Sequence, residues 1–185
     1  MPRVLFFIAV LIAAQCISQT DQNRKLLMKE PVLITSAGQS SDVLMAKVLA
    51  GKVGLQIDFQ KQAQLEHVDS ANSIIIVCGG SVKGMGAAGI DKDQEYGRVE
   101  KIFKRAKELK IPVIGMHVGG KSRRGALSDY FNKLVADNSD YLIVVKEGND
   151  DEFFTKTAAK RNIPCEIVDK IISIQDNLKT LYAKK

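Results

Sequence analysis

Six consecutive residues, Ser73–Cys78, read SIIIVC. A run this apolar and β-branched suits a strand and leaves no polar face for water. It needs cover on both sides, which is the position of a strand inside a parallel sheet with helices on each face. The rest of the chain alternates to match. Strands are expected at Pro31–Thr35, Leu55–Phe59, Pro112–Val118, Tyr141–Val145 and Cys165–Val168. Helical patterns fall between them at 42–53, 94–109, 127–135, 152–160 and 174–182, with a helical turn at 63–68. This alternation predicts an α/β fold, a single three-layer doubly wound domain over 31–185 with a mostly parallel sheet. The strand order is either Rossmann-like or flavodoxin-like with a sixth edge strand. The flavodoxin-like order is favoured, because it sets the first, third and fourth strands side by side.

The first twenty residues read differently. Arg3 precedes eleven apolar residues, Val4–Ala14, and polar and small residues follow. Eleven residues are too few to span a bilayer comfortably. The pattern is that of a secretory signal peptide over 1–20, with a linker at 21–30. A lipidated Cys16 and an uncleaved anchor are the alternatives. All three place the protein outside the cytoplasm: periplasmic, secreted or attached to the cell envelope. Cleavage leaves no stable membrane span. It also leaves only Cys78 and Cys165, expected at opposite edges of the sheet and therefore free.

The formal net charge is +6, but the lysines are spread along helix faces and the C-terminus, and there is no tryptophan. Nucleic-acid binding wants a denser basic stripe with aromatics, so nucleic acid is not expected as a partner. No acidic or Cys/His spacing is diagnostic of a metal. Asp91, Asp93, Asn149, Asp150 and Asp151 read as helix caps at loop ends. Nothing in the sequence names a cofactor or an oligomeric state.

Three glycine-rich loops carry the functional expectation. They follow the first, third and fourth strands, and in a parallel sheet all three belong to the carboxyl edge where ligands bind. Their candidate ligand-binding residues are Ser36, Gly38, Gln39 and Ser40; Gly79, Gly80, Ser81 and Lys83; and His117, Gly119, Gly120, Arg123 and Arg124. Such residues suit a small anion, a carboxylate or phosphate, held by backbone N–H groups and guanidinium forks. Arg123 and Arg124 fall where a helix should begin, an unfavourable place for cations. They call for a counter-charge: either a ligand, or loop acids such as Asp42, Asp91, Glu147 or Asp150. Binding without catalysis is the first reading. A hydrolase or transferase acting on a phosphorylated or acidic small molecule, with His117, Ser36 or Cys78 as the reactive group, is the alternative. A Cys78–His117 dyad is weakened by counting back from the glycine pairs, which puts the two on opposite faces.

Two motif matches carry little weight. Gly115–Ser122 fits the phosphate-loop pattern GxxxxGK followed by serine or threonine, but its first half looks like strand. Gly84–Gly89 fits GxGxxG, yet it begins well after its strand has ended, so a mobile glycine loop with positive φ is the plainer reading.

Four segments in order are similar to an uncharacterised family of exported bacterial proteins, catalogued as a domain of unknown function. They are PVLITSAGQSSDVLMAKVLA, CGGSVKGMGAAGID, PVIGMHVGGKSRRGALSDYF and YLIVVKEGNDDEFFTKTA. The resemblance implies export and one-domain architecture. It implies no activity, substrate or catalytic residue.

Overall fold

The computed structural model describes residues 28–183; the expected signal peptide, Cys16 and most of the linker lie outside the described residues. The strands are β1 (Val32–Ala37), β2 (Ile57–Phe59), β3 (Ser73–Cys78), β4 (Val113–His117), β5 (Tyr141–Val145) and β6 (Cys165–Val168). They form one parallel sheet in the order β2-β1-β3-β4-β5-β6, the flavodoxin-like order with a sixth edge strand. The chain reverses direction across the sheet between β1 and β3, which makes that crevice the switch point.

The helices are α1 (Val43–Lys52), α2 (Leu65–Asp69), α3 (Val82–Ala87), α4 (Lys92–Leu109), α5 (Ala126–Asn138), α6 (Phe153–Arg161) and α7 (Ile174–Leu181). Strand side chains alternate between two cores, as their period of two requires. Leu33, Ile74, Ile76 and Cys78 meet α4, α5 and α6 through Val99, Ile102, Phe131 and Phe154. Val32, Ile34, Ile75 and Val77 meet α1 and α7 through Val43, Leu49, Ile174 and Leu178. The central strands are therefore buried on both faces, which accounts for their unbroken apolar runs.

Two local departures bear on the candidate site. β1 runs two residues beyond the expected strand, because Ser36 and Ala37 pair with Val77 and Cys78. Ser36 thus belongs to a strand, and the first loop begins at Gly38. The expected mobile loop at 84–89 is instead largely helix α3, capped by Ser81, whose Oγ accepts a hydrogen bond from the Gly84 N–H at 3.0 Å. Of its three glycines, only Gly89 has positive φ, at 69°.

Candidate functional site

The carboxyl ends of β1, β3 and β4 bring the three loops together. The first two are zipped: Gln39 and Gly80 form an antiparallel bridge, and the Ser81 N–H donates to the Gly38 carbonyl at 2.8 Å. The glycines allow this. A Cβ on Gly38 would lie 2.6 Å from the Gly79 carbonyl oxygen, and one on Gly80 would lie 2.6 Å from Leu127. The Gly80 N–H donates to Ser128 Oγ at 3.1 Å, and Ser40 Oγ caps the turn at Asp42. Packing against the neighbouring loop and against α5 therefore accounts for Gly38 and Gly80, both placed among the ligand contacts. Gln39 and Ser40 are buried.

Much of the donor capacity meets carboxylates of the chain itself. Glu95, fully buried on α4, accepts from the Gly38 N–H at 2.9 Å and from Gln39 Nε2 at 3.1 Å. Arg98 pairs with it through two nitrogens, at 2.8 and 2.9 Å, and also donates to the backbone oxygens of Ser36 and Ala63. Neither Glu95 nor Arg98 was among the candidates. The signal was present: Glu95 lies four residues before Val99 on the apolar stripe of α4, and an acid on such a stripe requires a buried partner.

The two arginines differ. They sit in and just after a 3-10 turn, Gly120–Arg123, and α5 starts only at Ala126, so neither is in the first turn of the α-helix. Arg124 is spent on the fold. Its Nε donates to Asp129 at 2.7 Å, its Nη atoms grip Asp151 at 2.8 Å, and Nη1 also reaches the Gly148 carbonyl. That hydrogen bonding holds the Asp151 carboxyl far below its usual range. Arg123 uses only Nε, on Asp42 Oδ2 at 2.8 Å. Its side chain crosses the ends of β3 and β4, where a Cβ on Gly79 would touch it at 3.2 Å. Lys121 pairs with Asp150 at 2.9 Å, and Lys83 stands exposed on α3. Of the four acids expected as counter-charges to the arginines, Asp42 alone pairs with one of them among the described residues; Asp150 meets Lys121, and Arg124 is met by Asp129 and Asp151. Asp91 caps α4 instead.

Cys78 and His117 are neighbours, contrary to the expectation of opposite faces. The register pairs Val77 with Met116, which brings the next residues of each strand side by side on one face. Cys78 Sγ lies 3.8 Å from His117 Nδ1. Proximity alone does not make a dyad. Burial pushes the thiol pKa well up and the imidazole pKa down, so both groups stay neutral. The His117 Nε2 lies 3.2 Å from the Gly120 carbonyl, which favours the tautomer with the proton on Nε2. A thiolate–imidazolium pair would place two charges where water is excluded. Ser36 Oγ is likewise buried, with no hydrogen-bond partner among the described residues.

The His117 environment has a measurable consequence. A histidine kept neutral on folding costs stability once the unfolded chain can protonate it. Stability should therefore be complete above pH 6.5 and fall as pH drops from there toward the lowered folded value. Urea titrations of wild type and His117→Gln across that interval test this. Equal pH slopes in the two proteins would rule it out.

Among the described residues, no cluster of three or more His, Cys, Asp or Glu side chains is arranged to hold a metal, and no helix is long and apolar enough to cross a membrane. The phosphate-loop match also lacks its geometry, since Gly115 to His117 are β4 and Gly115 packs tightly against Val135 and Leu142.

No curated protein matches the chain significantly. Two solved structures of an esterase, AlinE4, show a low-level similarity to the chain. One, a serine-to-alanine mutant, is 11% identical and covers 83% of this chain and 82% of that one, with a TM-score of 0.29. The other, an aspartate-to-alanine mutant, is also 11% identical, covers 85% and 86%, and has a TM-score of 0.30. Likeness at that level carries no inference about chemistry. The sequence comparison is firmer: the model of the domain of unknown function DUF6305 matches residues 29–182, and the chain belongs to that family.

Proposed function

We propose that this protein is an exported binding module that takes a small anion, a carboxylate or phosphate, at the β1–β3–β4 loop cluster without transforming it. The observation that carries this reading is the state of Arg123. Its Nε is held by Asp42, while neither Nη atom has a hydrogen-bond partner among the described residues. Its side chain is 25% exposed and lies over the glycine ends of β3 and β4. A guanidinium with free in-plane donors at a switch point is suited to fork an oxyanion. Asp42 competes for the same charge and would tune affinity. The hydrolase or transferase alternative is disfavoured, because Cys78, His117 and Ser36 are all buried and the first two are neutral.

Calorimetric titration with inorganic phosphate and with malonate tests the proposal. Arg123→Ala should lose roughly tenfold or more in affinity, the worth of a charged hydrogen bond of ~1.5–3 kcal/mol. Asp42→Asn should bind more tightly, since the competing carboxylate is gone. Arg124→Ala should lower the melting temperature and leave the affinity of the folded protein unchanged. Identical affinities in all three variants would refute the assignment.

A further inference from the structure

Gly97 stands inside α4, where a glycine is costly, and neither conformation nor packing requires it. Its φ is not positive, and a Cβ built there would meet no atom within 4 Å. The space above it is part of a groove of about 330 Å³ between α2 and α4. That volume suits a small molecule. The groove lies on the α4 face of the sheet and contains none of the residues assigned to the anion at Arg123.

Its lining has a definite chemistry. Leu65, 42% exposed, supplies an apolar wall, and the buried Ile102 lies beneath the floor. Arg98 lines it too, but its in-plane hydrogens are spent on Glu95, the Ala63 and Ser36 carbonyls and the Thr35 hydroxyl. It cannot fork a ligand carboxylate and can offer only the face of its guanidinium, which stacks on planar π systems. Lys101 is exposed, and no acid lies within ion-pairing distance of it among the described residues. Gln94 Oε1 accepts from the Asp91 N–H at 2.9 Å, while its amide nitrogen has no partner among the described residues.

We propose that this groove binds a small planar organic acid, an aromatic or heteroaromatic ring bearing one carboxylate. The ring lies over Gly97 against the Arg98 face, with its edge toward Leu65. The carboxylate meets Lys101, and a ring acceptor takes the Gln94 amide N–H. The bare helix surface at Gly97 is what lets the ring approach the backbone.

The test is calorimetric titration of 2-naphthoate, with cyclohexanecarboxylate as a non-planar acid of the same charge. Wild type should bind 2-naphthoate at one saturable site and the non-planar acid more weakly. Gly97→Leu fills the floor and should reduce affinity by roughly tenfold or more. Its melting temperature should hold or rise, because leucine favours helix over glycine. Gly97→Ala, a single methyl in the same space, should give a smaller loss and guards against a leucine too large to fold. Lys101→Glu should weaken binding, Lys101→Arg should preserve it, and Arg123→Ala should leave it unchanged. Arg123→Ala thereby separates this site from the anion site. Undiminished binding in folded Gly97→Leu, equal binding of the two acids, or no saturable binding by wild type would each overturn the proposal.

Discussion

Replacing Glu95 with alanine is expected to destabilise the protein by about 3–5 kcal/mol, the cost of leaving one member of a buried ion pair without its partner. Glu95 is fully buried, and the Arg98 side chain is only 9% exposed. The carboxylate binds Arg98 twice and also holds the Gly38 N–H and the Gln39 amide. Its removal strands a guanidinium in the interior and frees the first loop from α4. Removing both charges should cost less than the sum of the two single changes, because no unpaired charge then remains. Glu95→Leu with Arg98→Met is the appropriate double variant, and the coupling should fall within roughly 0.5–3 kcal/mol. Recovery will be incomplete, since Arg98 also satisfies the Ser36 and Ala63 carbonyls. Urea unfolding of the two single variants and the double measures each term. A Glu95→Ala protein within about 1 kcal/mol of wild type, the range of an ordinary substitution, would show that the pair is not a buried keystone of the loop cluster.

The architecture was legible because burial on both faces leaves a mark on every central strand. SIIIVC cannot face water, and the helical patterns between such runs leave the parallel sheet as the consistent solution. The convergence of the three loops followed from topology alone. Other features depended on partners distant in sequence. The glycines at Gly38 and Gly80 read equally well as room for a ligand or room for another part of the chain, and the atoms that decide the matter belong to Gly79 and to Leu127 of α5. Counting from the glycine pairs misplaced Cys78 relative to His117, because the register between strands determines which residues are neighbours. Helix α3 was illegible for a different reason. Three glycines in eight residues hide any helical period, and the segment is held by the Ser81 cap and by Met85, which is 5% exposed. The division of labour between Arg123 and Arg124 was also invisible, since adjacent residues of one type differ here only in the acids that reach them.

Two glycines of α3 provide the sharpest test of this loop packing, because the same substitution should have opposite effects two residues apart. Both are helical, and neither has positive φ. A Cβ on Gly84 would run into the backbone carbonyl of Gln39, the residue that bridges to Gly80. Backbone cannot swing aside as a flexible side chain can, so α3 or the first loop must move. Overpacking of this kind costs about 1–3 kcal/mol, and a backbone obstacle argues for the upper end for Gly84→Ala. A Cβ on Gly86 would meet nothing within 4 Å. There only the unfolded chain and the helix preference respond, and Gly86→Ala should stabilise the protein by roughly 0.5–1 kcal/mol. Thermal and urea unfolding of the two variants, made side by side, give the comparison directly. If α3 were a loose loop, neither alanine would meet an obstacle and both changes would be close to neutral. If the segment packs as described, the variants must move in opposite directions. The Gly84 variant should also expose the Gly38–Gly80 zipper to faster amide exchange, since the displaced carbonyl belongs to the residue at its centre. Equal exchange rates at the Ser81 N–H in Gly84→Ala and wild type would mean that α3 does not clamp the loops of the switch point.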